Sequence, residues 1–531
     1  TIPSYIEKNT HLKISLLHID VDLFEPTKVC LEYLFPKLVK GGIVILDDYG
    51  AFPGANKAID EYFNNTDTKI FQLPYSHYFS KVSWVISFMR KIKLYNFIRY
   101  SFQNELTAYV VGLYLSRKLI YIGKYKENVN LKIIAFSAYR YLQDIEVLNN
   151  CENIALYSFD QKYLHMVNAL FLNKNHVDGK EVYESNEALI IKHKLFVTKV
   201  IKTIRKRNNI DCAITANIHY KVEQVWSASC VSAGLPFVAI HKEFTVLDHR
   251  HIGWRIDKYL KENKPFQGSE ILVSNNLAKE LFVKGKICEE KKVHVVGLLR
   301  MDRLFNNKYS KKTNQKKQVT LFSFGHYSGG IIPNKRRSHY FSHGNEEGFV
   351  KLFEETHKVF FELALENPDV EFLIKPKNHE LWWFKEIDEV IKESYDLNIN
   401  SVKNISYSNI NAPELIQNSD VVIGLNSTVL LESILIGRNT VIPKFAEALD
   451  KYSDNIYLDP FIDLFNVARS KTDLKQIITN GLKDDFIYEI NEKRKNEMLE
   501  YYFGFTDGET KNRVVSHLYK ISNKSHLFNE D

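Results

Sequence analysis

Residues Asp420–Pro443 (DVVIGLNSTVLLESILIGRNTVIP) hold a dense set of polar groups between two apolar runs of this 531-residue chain. A strand leads into Asn426, Ser427 and Thr428, and a helical stretch then carries Glu432 one turn further along, before Gly437 and another strand. Hydroxyls at a helix start, with free backbone N–H groups and the positive dipole end, make a phosphate site. Glu432 stands where a carboxylate could accept from a ribose hydroxyl. A plain Ser/Thr helix cap gives the same pattern. Phe372–His379 (FLIKPKNH) ends a strand in Lys375 and Lys377, with His379 just beyond. Two ammonium groups and an imidazole at a sheet edge can neutralise a pyrophosphate; solvated strand-end lysines are the alternative. In Lys292–Leu304 (KVHVVGLLRMDRL) a strand reaches Gly297, then Arg300 and Asp302. That run either lines a ligand cleft or is a turn whose Arg–Asp pair braces two domains.

Pro236–Phe244 (PFVAIHKEF) ends a strand in His241, Lys242 and Glu243, followed by His249, Arg250 and His251. Activating an acceptor hydroxyl needs one carboxylate or imidazole near the reacting carbon. Glu243 or His241 could supply it. Phe324–Gly330 (FGHYSGG) offers glycines that allow close backbone approach to a phosphate. Near the start of the chain, Asp20 and Asp22 follow one apolar run and Asp47 and Asp48 follow the next. At the carboxyl edge of a parallel sheet such carboxylates suit Mg²⁺, or cap the helices that follow.

These groups need parallel sheets to hold them. In block 1–75, Lys13–Asp20 reads as a strand, Thr27–Leu38 as a helix, Gly41-Gly42 as a turn, Ile43–Leu46 as a strand and Ala55–Phe63 as a helix, a βαβ pattern. Block 76–125 contains Ser80–Phe102, which mixes aromatics and aliphatics with Lys81, Arg90, Lys91, Lys93 and Arg99 and has no acid. That is the composition of a basic amphipathic helix on an anionic membrane surface, and equally of a linker helix between domains. Two βα arrays follow. The first, 126–305, has strands at Ile133–Phe136, Ile154–Tyr157, Cys212–Ala216, Phe237–Ile240 and Ile271–Ser274. The second, 306–480, has strands at Val319–Phe324, Val370–Ile374, Val421–Ile423 and Thr440–Ile442, with helices near 347–366, 381–393, 412–418 and 429–436. Helices over 481–531 are expected to pack back on these arrays. The fold class is α/β: two doubly wound Rossmann-like domains facing across a cleft, behind a partial Rossmann-like segment.

Composition narrows the function. Hydrophobic residues are 45% and charged residues 25%, which excludes wholesale disorder. Lys and Arg number 71 against 64 Asp and Glu, a net +7 that is mild for this length, so nucleic acid is not an expected partner. The five cysteines (Cys30, Cys151, Cys212, Cys230, Cys288) lack ligand spacing and read as free thiols of a reducing cytoplasm. No run approaches the ~18 apolar residues of a spanning helix. The chain opens Thr1-Ile2-Pro3-Ser4 without Met and reads as one whose beginning is missing.

Two resemblances add to this. HIDVDLFEPT (18–27), YLFPKLVKGGIVILDDYG (33–50) and PGANKAIDEYF (53–63) are similar to the C-terminal part of the macrocin O-methyltransferase family, over nearly all of residues 1–65. The resemblance implies methylation of sugar hydroxyls with S-adenosylmethionine and a divalent ion, with Asp20, Asp47 and Asp48 as metal ligands and Asp22 nearby. Such an ion lowers the pKa of the attacking hydroxyl. The glycine-rich S-adenosylmethionine half precedes these motifs in that family and is not found here, so methyl transfer by this chain alone is not expected. The hinge, lysine and Asn-Ser-Thr segments over about 126–480 resemble nucleotide-sugar enzymes of the glycosyltransferase B (GT-B) fold, including CDP-glycerol glycerophosphotransferases, capsule transferases and UDP-sugar epimerases. The KPKNH run departs from the more usual KPHP.

The resemblance implies a nucleotide-diphosphate-sugar donor at Lys375, Lys377, His379, Asn426, Ser427, Thr428, Glu432, Arg300 and Asp302. It also implies a glycan or lipid-linked glycan acceptor. A bacterial surface-polysaccharide transferase, cytoplasmic or peripheral at the inner face of the membrane, is the expectation. A nucleotide-sugar 2-epimerase would need a denser set of acids and histidines in the first array. A scaffold of a capsule assembly complex need not bind nucleotide.

Overall fold

Short Val/Ile/Leu runs alternating with amphipathic stretches produce parallel strands covered by helices. The computed structural model describes residues 2–21, 23–46, 49, 52–64, 105–171, 187–243, 245–306, 316–331, 340–342, 347–377 and 381–527. The chain forms two compact units, Thr1–Val111 with Lys162–Lys199, and Gly112–Gln161 with Val200–Asp531. Ser80–Phe102, the basic stretch read as a membrane or linker helix, lies outside the described residues. Among the described residues no helix is long and apolar enough to cross a membrane.

In the first unit, β1 (Ile14–Ile19) pairs in parallel with β2 (Leu38–Leu46). The helix Phe24–Tyr33 and a 3₁₀ turn at Phe35–Lys37 connect them, and the helix Pro53–Phe63 follows. Leu17, Ile19, Leu31, Ile59 and Phe63 form its core. Gly41-Gly42, expected as a turn, lies inside β2. The ladder runs Ile14↔Leu38 and then Leu16↔Ile43, so β2 carries extra residues across a bulge there. A Cβ on Gly42 would come within 2.9 Å of the Val39 carbonyl oxygen, so glycine lets the strand bulge instead of ending.

The second unit contains two sheets. The first has the order β3-β5-β4-β6-β7-β8-β9, with β3 (Ile120–Tyr121) antiparallel at one edge. The rest are parallel: β4 (Leu131–Ala135), β5 (Ile154–Ser158), β6 (Cys212–Thr215), β7 (Phe237–His241), β8 (Glu270–Val273) and β9 (Val293–Val295). The second sheet is fully parallel, in the order β12-β11-β10-β13-β14-β15. Its strands are β10 (Gln318–Phe322), β11 (Glu371–Lys375), β12 (Ile405–Tyr407), β13 (Val421–Gly424), β14 (Asn439–Pro443) and β15 (Asn466–Ala468). In both, strand order reverses next to the first long strand, which makes each sheet doubly wound. Two doubly wound α/β sheets are the arrangement expected from the sequence. The short edge strands β12 and β15 were not expected, because three residues carry too little periodicity to read.

The helix Glu492–Phe503 and the final helix Thr510–Ile521 return to these layers. Val514, Val515 and Leu518 of the final helix share a core with Leu131, Ile133 and Leu272 of the first sheet. Gly297, at φ +99, makes room for this return: a Cβ there would lie 2.5 Å from the Thr510 hydroxyl.

Candidate functional site

The carboxyl ends of the second sheet present one group of polar residues. Lys375 ends β11 half-buried, and burial pulls its ammonium below the ordinary lysine value. No carboxylate among the described residues pairs with it. Lys377, two residues on, is exposed. His379 lies outside the described residues. After β13, Asn426 takes a left-handed φ of 51. Its amide donates to the Asn455 carbonyl at 2.8 Å and accepts from the Tyr457 N–H at 2.7 Å. Both ends of that side chain are spent on the neighbouring loop, so Asn426 shapes the turn instead of meeting a donor. Ser427 caps the helix Thr428–Leu435, accepting from the Val429 N–H at 3.5 Å. Thr428 hydrogen-bonds Glu432 one turn along. Glu432 is 5% exposed. Burial raises its carboxyl, while the charge of Arg300 and the Thr428 bond oppose the rise.

Arg300 joins that group to the first sheet. Its backbone N–H donates to Asp144 Oδ1 at 3.2 Å. Asp144 is buried, which raises its carboxyl, and the charges of Arg300 and Lys242 act against the rise. Lys242, following β7, donates to the Arg140 carbonyl. Burial lowers its ammonium; Glu243 and Asp144 counter this, and the like charges of Arg300 and Lys377 add to it. Arg300 and Lys377 therefore both act on Lys242 from strand ends of two sheets, with Asp144 and Glu432 as buried counter-charges to Arg300. A cluster of cations at facing carboxyl edges is suited to an anionic ligand.

Asp302 and His241 do not take the roles expected of them. Asp302 accepts from the backbone N–H groups of Thr510 at 3.1 Å and Lys511 at 2.6 Å. It caps the start of the final helix. His241 is 2% exposed, edge-on to the Phe282 ring at 4.9 Å and to His219 at 6.4 Å. Burial, then the nearby His219, pushes its imidazole down to about 3. A buried ring with so little basicity is a core residue and a poor general base. Glu243 is exposed beside Lys242.

The group poised near neutrality is one the sequence did not single out. Glu223 is buried, accepting from the Thr215 hydroxyl at 2.7 Å and from Ser137. Ser137 and Thr215 stand just past β4 and at the end of β6. Burial drives the Glu223 carboxyl up to about 7, against these two hydrogen bonds and the charge of Arg140. No motif surrounds it in NIHYKVEQ (217–224), and one of its two partners, Ser137, lies 86 residues away in the chain. A carboxyl near 7 is the usual state of a general acid or base.

The two sheet layers are tied by the helix His249–Glu262. His251 faces the Asp248 carboxylate with one ring nitrogen and the Asp454 carbonyl with the other, each at 2.7 Å. Arg250 bonds Asp248 at 2.8 Å and Asp459 at 3.1 Å. Burial raises the Asp248 carboxyl, but the bonds from His251 and Arg250 outweigh it and hold the group well below its ordinary value. Beside this tie, Trp254, Gly330, Ile331, Glu347, Lys451, Tyr452 and Asn455 line a cavity of about 410 Å³.

In the first unit, Asp20 is exposed just past β1, whose Ile19 pairs with Leu46 at the end of β2. Asp22, Asp47 and Asp48 lie outside the described residues. The expected metal ligands Asp47 and Asp48 thus fall outside the described residues, and Asp20 is the one of the set that the structure places.

The family model described as Macrocin-O-methyltransferase (TylF) matches residues 4–77. Demethyldecarbamoylnovobiocin O-methyltransferase of Streptomyces niveus is 45% identical over 49 residues, 9% of this chain and 19% of that protein. This chain thus spans about a fifth of that relative's length. Among solved structures, a glycosyltransferase from Rickettsia africae superposes with a TM-score of 0.42 at 13% identity, over 76% of this chain and 100% of that one. The UDP-GlcNAc 2-epimerase from Neisseria meningitidis bound to UDP-GlcNAc gives 0.39 at 11% identity, over 73% and 99%. The first unit thus carries a segment similar to macrocin O-methyltransferases.

Proposed function

We propose that the second unit is a nucleoside-diphosphate-sugar enzyme, and in the first place a transferase that moves a glycosyl or glycerophosphate group to a glycan or lipid-linked glycan. The observation that carries this reading is that Arg300 acts both on the buried Glu432 of the Thr428–Leu435 helix and on Lys242, on which Lys377 also acts. Three cations and a helix N-terminus match the charge of a diphosphate. Glu432, already bonded by Thr428, offers an acceptor to a ribose hydroxyl. As the leaving diphosphate gains charge in the transition state, fixed cations stabilise it without reorganisation. The sugar O-methyltransferase resemblance of the first unit fits the same substrate class, and a cytoplasmic surface-polysaccharide pathway would use both.

A 2-epimerase is the second reading. It is favoured by Glu223 and Asp144, two buried acids at the edge of the first sheet, one of them near neutrality. One experiment separates the readings. The chain is screened by thermal shift against UDP-, CDP-, GDP- and CMP-sugars, and the best donor is then incubated in D₂O without acceptor. Stabilisation by a nucleotide sugar is expected, since a ligand at 100 times its Kd adds about 2.7 kcal/mol. Deuterium at C2 selects the epimerase; donor consumption only when acceptor is added selects the transferase. No response to any nucleotide overturns both.

A further inference from the structure

Far from the carboxyl edges, Glu270, His294 and His517 bring three ligand atoms within 4.8 Å of one another. Glu270 opens β8, so the group lies at the opposite strand ends from Arg300 and Lys242. It shares none of their residues. In the β8–β9 ladder Leu272 faces His294, which sets Glu270 and His294 on one face as diagonal neighbours. The final helix covers that face and brings in His517. The carboxylate oxygen Oε2 of Glu270 lies 3.5 Å from His294 Nε2 and 3.8 Å from His517 Nδ1. The two rings sit 4.4 Å apart between centroids.

We propose that Glu270, His294 and His517 form a binding site for a divalent transition-metal ion, Zn²⁺ in the first place, which clasps the final helix to the first sheet. Two imidazoles and one carboxylate are a borderline N₂O donor set. It suits Zn²⁺ and its neighbours far better than Mg²⁺ or Ca²⁺. Tetrahedral ligands at about 2.0–2.1 Å from Zn²⁺ stand about 3.4 Å from each other. The two carboxylate–imidazole spacings exceed this by only a few tenths of an ångström, and all three ligand atoms stay within 4.8 Å of one another. A fourth position remains for water. The three side chains are half-buried, so desolvation on binding is modest while the ion stays accessible.

Protonation is compatible with this. Burial, then the charge of His517, lowers the His294 imidazole, against the pull of Glu270. A metal requires that neutral form. Burial raises the Glu270 carboxyl, but the His517 bond and the charges of His294, His517 and Lys520 bring it below its ordinary value. The other cation facing the cluster, Lys279, is engaged with Glu290 at 3.5 Å. The ligands come from three elements, and His517 is 223 residues beyond His294, so a bound ion closes a loop that packing alone holds otherwise.

The test uses the full chain stripped with chelator. Equilibrium dialysis against Zn²⁺ should retain one more equivalent on the wild type than on the His294→Ala/His517→Ala double variant. Zn²⁺, and not Mg²⁺, should raise the wild-type melting temperature by several degrees and leave the variant's unmoved. Co²⁺ substituted into the wild type should give the intense visible absorption of a four- or five-coordinate site, a reading that needs no variant to fold. Equal Zn²⁺ uptake by both proteins, or a weak octahedral Co²⁺ spectrum in the wild type, overturns the proposal.

Discussion

Arg300 donates its backbone N–H to Asp144 Oδ1 at 3.2 Å, joining residues 156 positions apart. The bond belongs to the main chain, so the segment after β9 is held to the first sheet whatever side chain stands at position 300. The guanidinium is left to act on Glu432 from the second sheet, and its charge opposes the rise that burial imposes on that carboxyl.

Arg300→Ala should therefore leave the fold in place and remove a ligand cation. The loss of one charge-assisted bond to a phosphate costs about 1.5–3 kcal/mol, or roughly ten- to a hundred-fold in nucleotide affinity. Calorimetric titration with the best nucleotide checks the affinity, and the melting temperature checks the fold. Arg300→Lys should recover part of the affinity, since an ammonium keeps the charge without the planar fork.

Glu223 gives a pH dependence of known sign. Its carboxyl is raised in the folded state, to about 7. The native protein thus holds that proton longer than the unfolded chain. Stability from this group is complete below the ordinary glutamate range, falls as pH rises, and levels above about 7. The loss is about 3 kcal/mol over that window. Glu223→Gln removes the titration and still accepts from one of the two hydroxyls. Urea unfolding at pH 5 and pH 8 should show a smaller alkaline loss for the variant by most of that amount, since part of it is already gone at pH 5.

His251 ties the two sheet layers through Asp248 and the Asp454 carbonyl. His251→Asn shortens the side chain and breaks the second bond, leaving Asp248 to Arg250. About 1–3 kcal/mol of stability should be lost, read as a lower melting temperature. Asp248 stays below its ordinary value through Arg250, so the variant should still keep that carboxylate's contribution above about pH 4 and lose it on further acidification.

The parts of the fold that periodicity encodes were legible: β4 to β8 and β10, β11, β13 and β14 lie within a residue or two of where their apolar runs place them. The bulge that carries Gly41-Gly42 through β2 was not, because a glycine pair reads as a turn unless the partner strand is known. At the site, Glu432 could be found because Thr428, Ser427 and Glu432 are neighbours on one helix. Asn426 and Asp302 could not be separated from ligand groups, since their partners Asn455, Tyr457, Thr510 and Lys511 lie 29 to 209 positions away. Glu223 and Asp144 were invisible for the same reason. Their chemistry arises from burial, and burial is a property of the assembled sheets.

The donor site itself is tested by three substitutions chosen for different parts of one ligand. Lys375→Ala removes a half-buried ammonium whose charge is desolvated, and should weaken any diphosphate by roughly ten- to a hundred-fold. Ser427→Ala removes the cap of the helix Thr428–Leu435 as well as a hydroxyl at its start. It should cost affinity together with about 1 kcal/mol of stability. Glu432→Gln keeps the shape and takes away the carboxylate that faces Arg300. Nucleotide affinity should fall by a smaller factor, while inorganic pyrophosphate, which has no ribose, should bind nearly as in the wild type. Titration of the three variants with nucleotide and with pyrophosphate reads all of this at once. Wild-type affinity in all three would mean that Ser427 and Thr428 only start a helix, and that the cations at the strand ends serve another anion.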